Sequence, residues 1–279
     1  RLRQINDAPS MIYSKGNTDF ENSKVVAIVG TRKSTPYGRA CVEEFINDLT
    51  PHRPLIVSGL AYGIDITAHK QALKNNLPTV GVMGSGIDVV YPAAHKDIAR
   101  RMTNQGGLVT EHAFGTQPDA HNFPARNRIV AGLSDAIVVV EAAERGGALI
   151  TAEIANTYNK DVFAFPGNIG QHYSTGCNNL IKGNKAHLIT SASDLAYIMD
   201  WTIGSVMEKK GSIMLDQYEP NEQTILKVLL DNKGQLMIDE ISWRTNLPVS
   251  QLASLLLNLE FKGVLTSMPG KVYKLSGYR

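Results

Sequence analysis

The alternation of short apolar runs with stretches of helical spacing constrains this chain more than any other feature. Between Lys24 and about Asp200, each run of β-branched residues is a candidate strand, and most are separated by a helical segment. The predicted strands are Val25–Gly30, Pro54–Gly59, Thr79–Gly84, Gly107–His112, Ala136–Glu141, Asp161–Pro166 and Ala186–Thr190. Continuous apolar strands that alternate with helices are typical of a parallel sheet covered on both faces. The sequence therefore predicts a doubly wound α/β domain with a mostly parallel sheet.

The periodicity changes after residue 200 and divides the chain into two predicted domains. Residues 1–200 form the Rossmann-like α/β domain, with an extended lead-in over residues 1–23, and residues 201–220 are interpreted as a linker. The second domain, residues 221–279, has a pattern of three helices and two strands. These elements are predicted at Glu222–Leu230, Ile238–Thr245, Gln251–Lys262, Val264–Ser267 and Val272–Leu275. Three helices followed by a β-hairpin indicate a small C-terminal winged-helix domain.

Composition excludes several classes of protein. The net charge of +2 is too small to identify a nucleic-acid partner, so any basic surface must come from local arrangement. The cysteines, Cys41 and Cys177, form no CxxC pair, and the histidines form no metal-binding triad. No apolar run approaches the ~18 residues of a membrane span, and no secretory leader opens the chain. We expect a cytoplasmic protein without metal, cofactor or membrane contact, and a chain that starts at Arg1 is expected to be a fragment.

Polar, glycine-rich turns follow most of the predicted strands. In an open parallel sheet, ligands bind beyond the carboxyl ends of the strands. Arg32 and Lys33 follow the first predicted strand, and Gly146 and Gly147 follow the fifth. Arginine can hold a phosphate with two hydrogen bonds, and the N–H groups of glycine turns can cradle phosphate oxygens. Neither GxGxxG nor GxxxxGK[ST] is present, so neither NAD nor a Mg-nucleotide triphosphate is indicated.

The segment Phe123–Ser134 places Arg126, Asn127 and Arg128 at the start of a predicted helix. A helix N-terminus favours anions through its N–H groups and its dipole. At 100° per residue, Arg126 shares a face with the apolar residues and is expected to lean towards the crevice. Arg128 lies on a flank, where a ligand contact, a structural role and a subunit interface all stay open. Lys96, in the first turn of another predicted helix, is expected on the same rim.

The segment Gly146–Glu153 supports an enzymatic alternative. Its spacing is similar to the PGGxGTxxE pattern of Rossmann-type nucleotide phosphoribohydrolases, in which the glutamate assists cleavage of an N-glycosidic bond. Here Arg145 replaces the proline, and Leu149 and Ile150 replace the Gly-Thr pair. An ordinary solvent-facing helix residue is the simpler interpretation of Glu153, since spacing alone does not identify a catalytic carboxylate. A phosphoribohydrolase that uses Glu153 is kept as the alternative function.

The third predicted helix of the winged-helix domain carries no cation before Lys262. Affinity for duplex DNA rests largely on neutralisation of phosphates. The domain is therefore expected either to bind DNA weakly or to contact a protein, and both interpretations stay open.

Taken together, a series of ordered segments resembles the bacterial DNA-processing protein A family (DprA/Smf) over essentially the whole chain. The segments that carry the resemblance are Gly30-Thr-Arg32 with Tyr37-Gly38, Ser58-Gly-Leu-Ala-Tyr-Gly-Ile-Asp65 with Ala68-His69, Gly84-Ser-Gly86 with Asp88 and Tyr91-Pro92, Phe123-Pro-Ala-Arg-Asn-Arg-Ile-Val-Ala-Gly-Leu-Ser134, Gly147-Ala-Leu-Ile-Thr-Ala152, Val162-Phe-Ala-Phe-Pro-Gly167 and Gly176-Cys-Asn-Asn-Leu-Ile181. So many segments in order are highly specific, although each alone is weak.

The resemblance implies a non-catalytic protein that binds single-stranded DNA, forms homodimers and helps to load a RecA-type recombinase onto DNA during natural transformation. Carried over by motif, the DNA contacts would be Arg32, Lys33, Lys96, Arg126, Asn127, Arg128, Gly146 and Gly147. The N-terminal helical domain of many members is expected to be missing here. The winged helix occurs in only some members.

Overall fold

In the computed structural model, the apolar runs of the first unit, Arg1–Ile203, form one eight-stranded sheet. All five residues of the strand Val25–Val29 are buried, as expected for a central strand between two layers of helices. The strands are β1 (Tyr13–Gly16), β2 (Val25–Val29), β3 (Leu55–Ser58), β4 (Thr79–Val82), β5 (Gly107–Thr110), β6 (Ala136–Val139), β7 (Asp161–Ala164) and β8 (His187–Leu188). The predicted Rossmann-like α/β fold is confirmed.

Helices cover both faces of this sheet. They are α1 (Pro36–Leu49), α2 (Ile64–Lys74), α3 (Lys96–Gln105), α4 (Asn122–Leu133), α5 (Gly147–Thr157), α6 (Thr175–Lys182) and α7 (Ala192–Ile198). Alternate residues of β2 point to opposite faces, as strand geometry requires. Ala27 packs in one apolar cluster with Ile129 of α4 and Ala152 of α5. Ile28 packs in the other with Phe45 of α1 and Ile64 of α2.

The strand order is β1-β5-β4-β3-β2-β6-β7-β8. The pairs from β5 to β8 are all parallel. The chain therefore starts from β2 and builds the sheet outwards in both directions, which places a topological reversal between β2 and β6. The predicted lead-in over residues 1–23 contains β1, an antiparallel edge strand in which Tyr13 pairs with Thr110.

The second unit, Gly204–Arg279, has its own apolar core. Its elements are α8 (Pro220–Asp231), β9 (Gln235–Met237), α9 (Ile238–Thr245), α10 (Val249–Phe261), β10 (Leu265–Met268) and β11 (Val272–Leu275). Leu252, Leu256 and Leu259 of α10 are buried, because their spacing gives that helix one apolar face. The strands form an antiparallel sheet in the order β10-β11-β9. The predicted winged-helix domain is confirmed, with β9 as an additional strand.

The structure describes residues 1–201, 217–232, 234–268 and 270–275. The predicted linker, residues 201–220, lies mostly outside these ranges, so the linker and the domain boundaries stay predictions. Within the same ranges, no helix is long and apolar enough to cross a membrane.

Candidate nucleic-acid interface

A cavity of about 720 Å³, here called the first cavity, lies at the carboxyl ends of β2, β3 and β6. The chain reverses its direction of sheet growth at this point, which is where open α/β sheets bind their ligands. The lining includes Gly30, Thr31 and Arg32 after β2, Gly59 and Ala61 after β3, Ala142, Ala143, Arg145 and Gly146 after β6, and Phe123, Arg126 and Asn127 of α4. Turns that are distant in sequence thus meet at one site.

Arg32 is exposed on the rim of the first cavity. Its guanidinium lies 5.6 Å from the centroid of the Phe123 ring, an arrangement that fits a cation–π contact. Lys33 is also exposed, and its backbone N–H donates a 3.1 Å hydrogen bond to Thr31 Oγ1. The turn after β2 therefore presents two adjacent cations at the carboxyl edge of the sheet.

The predicted start of α4 was wrong. The helix begins at Asn122, so Arg126, Asn127 and Arg128 lie in its second turn and not at its N-terminus. Pro124 fits this earlier start, because a first-turn residue needs no partner for its backbone N–H. The anion-binding argument from a helix N-terminus therefore does not apply to these three residues.

Arg126 does share the buried face of α4, as predicted, but it is only 5% exposed. Its Nη1 donates a 2.6 Å hydrogen bond to the carbonyl oxygen of Gly59 and a second one to that of Val82. Burial lowers the pKa of Arg126, and the neighbouring Asp65 carboxylate opposes that shift. Burial likewise raises the pKa of Asp65 against the effect of Arg126. Arg126 therefore forms part of the floor of the first cavity, and its hydrogen bonds hold the backbone beneath the cavity in place.

The N-terminus of α5 also faces the first cavity. Gly146 is its N-cap residue, and no atom of the described residues lies within 4 Å of the position that a Cβ on Gly146 would take. Asn127 Nδ2 donates a 3.3 Å hydrogen bond to the carbonyl oxygen of Gly147, which joins α4 to this helix start. The open wall at Gly146 and Gly147 lets an anion approach the first N–H groups of α5.

Arg128 has acidic partners. Its Nη2 donates a hydrogen bond to Glu111 Oε2, and its Nη1 donates one of 2.7 Å to the carbonyl oxygen of Asp7. Its Nε also lies 4.0 Å from Asp7 Oδ2. These contacts tie the N-terminal segment and the end of β5 to α4, so the structure gives Arg128 a structural role.

Lys96 is exposed at the first residue of α3, as predicted, and stands outside the lining of the first cavity.

Sequence reasoning missed three residues of this site. Arg145 is exposed in the lining of the first cavity, and the available signal was a cation directly before the Gly146-Gly147 turn. Tyr62 and Tyr91 line a cleft that also contains Arg32 and Phe123. They are 49% and 48% exposed, and the Tyr91 ring lies 5.6 Å from that of Phe123. The site therefore combines exposed aromatic rings with arginines.

Glu153 lies on the surface of the protein. Its side chain is 63% exposed, and its Oε1 lies 3.6 Å from Lys185 Nζ. Because it stands outside the lining of the first cavity, the alternative of a hydrolase that uses Glu153 has no geometric support.

Both parts of the sequence match known protein families. Residues 1–200 match the family described as DNA recombination-mediator protein A, and residues 215–271 match the DprA winged helix domain. DNA processing protein DprA from Streptococcus pneumoniae is 44% identical over 194 residues, which cover 70% of this chain and 68% of that protein. Protein Smf from Escherichia coli is 34% identical over 281 residues, which cover 99% of this chain and 74% of that protein.

A solved structure is also similar to this chain. DNA processing protein A from Helicobacter pylori has a TM-score of 0.65 and 28% sequence identity. The match covers 71% of this chain and 90% of that one, and the Helicobacter protein binds single-stranded DNA.

Proposed function

This chain belongs to the DNA recombination-mediator protein A family, and we propose that it binds single-stranded DNA in the first cavity. The observation that carries the proposal is the charge of the lining. The described residues of the lining include three arginines, Arg32, Arg126 and Arg145, and one carboxylate, Asp65, in a site at the reversal of a parallel sheet. A surplus of two positive charges in a concave site attracts a polyanion.

The aromatic rings support single strands as the form of DNA bound. Tyr62 and Tyr91 are exposed beside Arg32, so an unpaired base can stack on either ring while its phosphate meets a guanidinium. The bases of a duplex are already stacked and paired, and these rings gain nothing from them. Binding through phosphates and stacking makes the interaction tolerant of sequence and sensitive to salt.

A titration of the whole chain with labelled oligo(dT) and with a duplex of equal length tests this proposal. We expect tighter binding of the single strand, and a decrease in affinity from about 50 to 200 mM salt. Equal affinity for the duplex, or an affinity that does not change with salt, would contradict it.

The family description also supports a role in recombination. We propose that the chain acts in the cytoplasm as a homodimer without chemistry of its own, and that its DNA complex helps to load a RecA-type recombinase. The test follows filament formation by such a recombinase on single-stranded DNA, with and without this protein. Faster formation is expected, and an unchanged rate would contradict the loading role. Sedimentation equilibrium tests the homodimer, which a monomer mass would contradict.

A further inference from the structure

A second cavity of about 710 Å³ lies on the same edge of the sheet. It is bounded by the start of α1 on one side and by the loop between β7 and α6 on the other. Its lining includes Thr35, Tyr37, Glu141, Gln171, His172 and Tyr173. The sequence resemblance covered parts of these segments but assigned no role to this cavity.

The chemistry of the second cavity differs from that of the first. Among the described residues, its lining contains neither lysine nor arginine. It does contain the buried carboxylate of Glu141, which accepts hydrogen bonds from the Thr35 N–H at 2.9 Å and from Thr35 Oγ1 at 2.5 Å. A phosphate would be repelled there. The rings of His172 and Tyr173 lie 4.8 Å apart, and the ring of Tyr37 is also part of the lining. Such a site fits a flat, uncharged ring better than an anion.

The walls of the second cavity are held in place by specific contacts. The Tyr37 hydroxyl donates a 2.6 Å hydrogen bond to the carbonyl oxygen of Pro166. Asn178 binds Gly167 in both directions, with Oδ1 accepting from its N–H at 3.1 Å and Nδ2 donating to its carbonyl at 2.9 Å. A Cβ on Gly167 would collide with Ser174 Oγ. The cavity is thus formed in advance, and binding need not order the loop around it.

The two cavities are adjacent and are joined by backbone hydrogen bonds between their lining residues. The Thr31 N–H donates a 2.8 Å hydrogen bond to the carbonyl of Glu141, and the Ala142 N–H donates one of 2.8 Å to that of Tyr173. Thr31 and Ala142 line the first cavity, whereas Glu141 and Tyr173 line the second. A strand that leaves the first cavity in this direction therefore meets the second cavity next.

We propose that the second cavity binds one unpaired base of a DNA strand whose phosphates lie in the first cavity. This inference rests on the proposed function and extends it, because it assigns the base and the backbone of one strand to different sites. It also gives the protein a second means of rejecting duplex, since a base that is paired within a duplex is not free to enter a separate cavity.

The test uses the whole chain and an oligonucleotide that contains 5-iodouracil, with the photo-cross-linked peptides identified by mass spectrometry. We expect cross-links at His172 or Tyr173. A double variant, His172→Ala with Tyr173→Ala, should weaken oligonucleotide binding about five- to tenfold, since a base stacked on an aromatic ring contributes about 1 kcal/mol or more. Its salt dependence should stay that of the wild type, because no phosphate contact is lost.

Two further variants separate a stacking role from a structural one. Tyr173→Phe keeps the ring and should bind like the wild type. Tyr197→Ala, at a tyrosine of α7 that is 88% exposed, should also leave binding unchanged. If the wild type binds but shows no cross-link in the second cavity, and the double variant binds equally well, only this inference is overturned. If the wild type fails to bind oligonucleotide, the proposed function falls and this inference falls with it.

Discussion

Arg126 donates a 2.6 Å hydrogen bond from Nη1 to the carbonyl oxygen of Gly59, which ties α4 to the end of β3 beneath the first cavity. The carboxylate of Asp65 lies at the same point. A Cβ on Gly59 would come within 2.6 Å of Asp65 Oδ2 and within 2.7 Å of both terminal nitrogens of Arg126. The arginine predicted as the main DNA contact is therefore also a structural element, and its charge is fixed in place.

Gly59→Ala should destabilise the protein. The added methyl group has room only if the buried pair of Asp65 and Arg126 moves, so we expect a loss of about 1–3 kcal/mol in the free energy of unfolding. Gly146→Ala is the matched control, because in the part of the chain that the structure describes no atom lies within 4 Å of the position of its Cβ. Urea denaturation measures both. Equal stability of the two variants would contradict this packing.

Arg126→Met should cost about 3 kcal/mol or more, because it leaves the buried Asp65 carboxylate without its cation. Burial already raises the pKa of Asp65 in the presence of Arg126, and the loss of the arginine raises it further. Protonation of Asp65 therefore stabilises the folded state of the variant. The loss of unfolding free energy relative to the wild type should become smaller as the pH falls. Adding Asp65→Asn should recover part of the loss. A deficit below about 1 kcal/mol would show that the two charges are not coupled.

His69 should make the protein less stable in acid. Its Nδ1 donates to Thr79 Oγ1 at 2.7 Å, because the hydroxyl proton of Thr79 is directed to the carbonyl of Ile56. Burial, with smaller contributions from His95 and Arg126, lowers the pKa of His69 from 6.5 to about 3. The unfolded chain binds this proton below about pH 6.5 and the native state does not. Stability therefore falls by about 1.4 kcal/mol per pH unit from this one group as the pH drops towards 3.

Urea denaturation between pH 7 and pH 4 measures this effect. His69→Gln should remove that part of the slope, whereas His121→Gln, at an exposed histidine, should keep it. Identical slopes in the wild type and His69→Gln would rule out a buried neutral His69.

Arg128→Gln should lower stability and leave DNA binding unchanged. The side chain already bonds to Glu111 and to the Asp7 carbonyl, so its loss removes a partly exposed ion pair worth about 1 kcal/mol. Glu111→Gln should have a similar effect on the melting temperature, because it breaks the same pair. Oligonucleotide affinity within about twofold of the wild type is expected for Arg128→Gln. A tenfold loss of affinity would contradict this prediction and would indicate that Arg128 contacts DNA.

The sheet could be predicted from the sequence because its central strands are continuous apolar runs. Val25–Val29 is apolar at every position and is buried at every position. β1 gave no such signal, since Tyr13–Gly16 contains a lysine and a glycine and three of its four residues are exposed. An edge strand of this kind depends on pairing with β5, which local sequence does not encode.

The candidate site was predicted in part. The cations at the ends of strands could be placed because parallel strands bring their carboxyl ends to one edge. The burial of Arg126 could not be predicted, because it depends on the carbonyl groups of Gly59, directly after β3, and of Val82 in β4. Tyr62 and Tyr91 lie in separate loops, and only the fold brings both beside Arg32.

The binding of single-stranded oligonucleotide by Arg32→Ala tests the central claim most directly. Arg3→Ala is the matched control: Arg3 is exposed, and its neighbours Leu2 and Ile5 pack against Gly132, at the end of α4 away from the cavity. We predict that Arg32→Ala weakens binding about tenfold and makes the salt slope shallower by about 0.7, the value for one phosphate contact, while Arg3→Ala changes neither. Equal affinities and equal salt slopes for the two variants would contradict DNA binding in the first cavity.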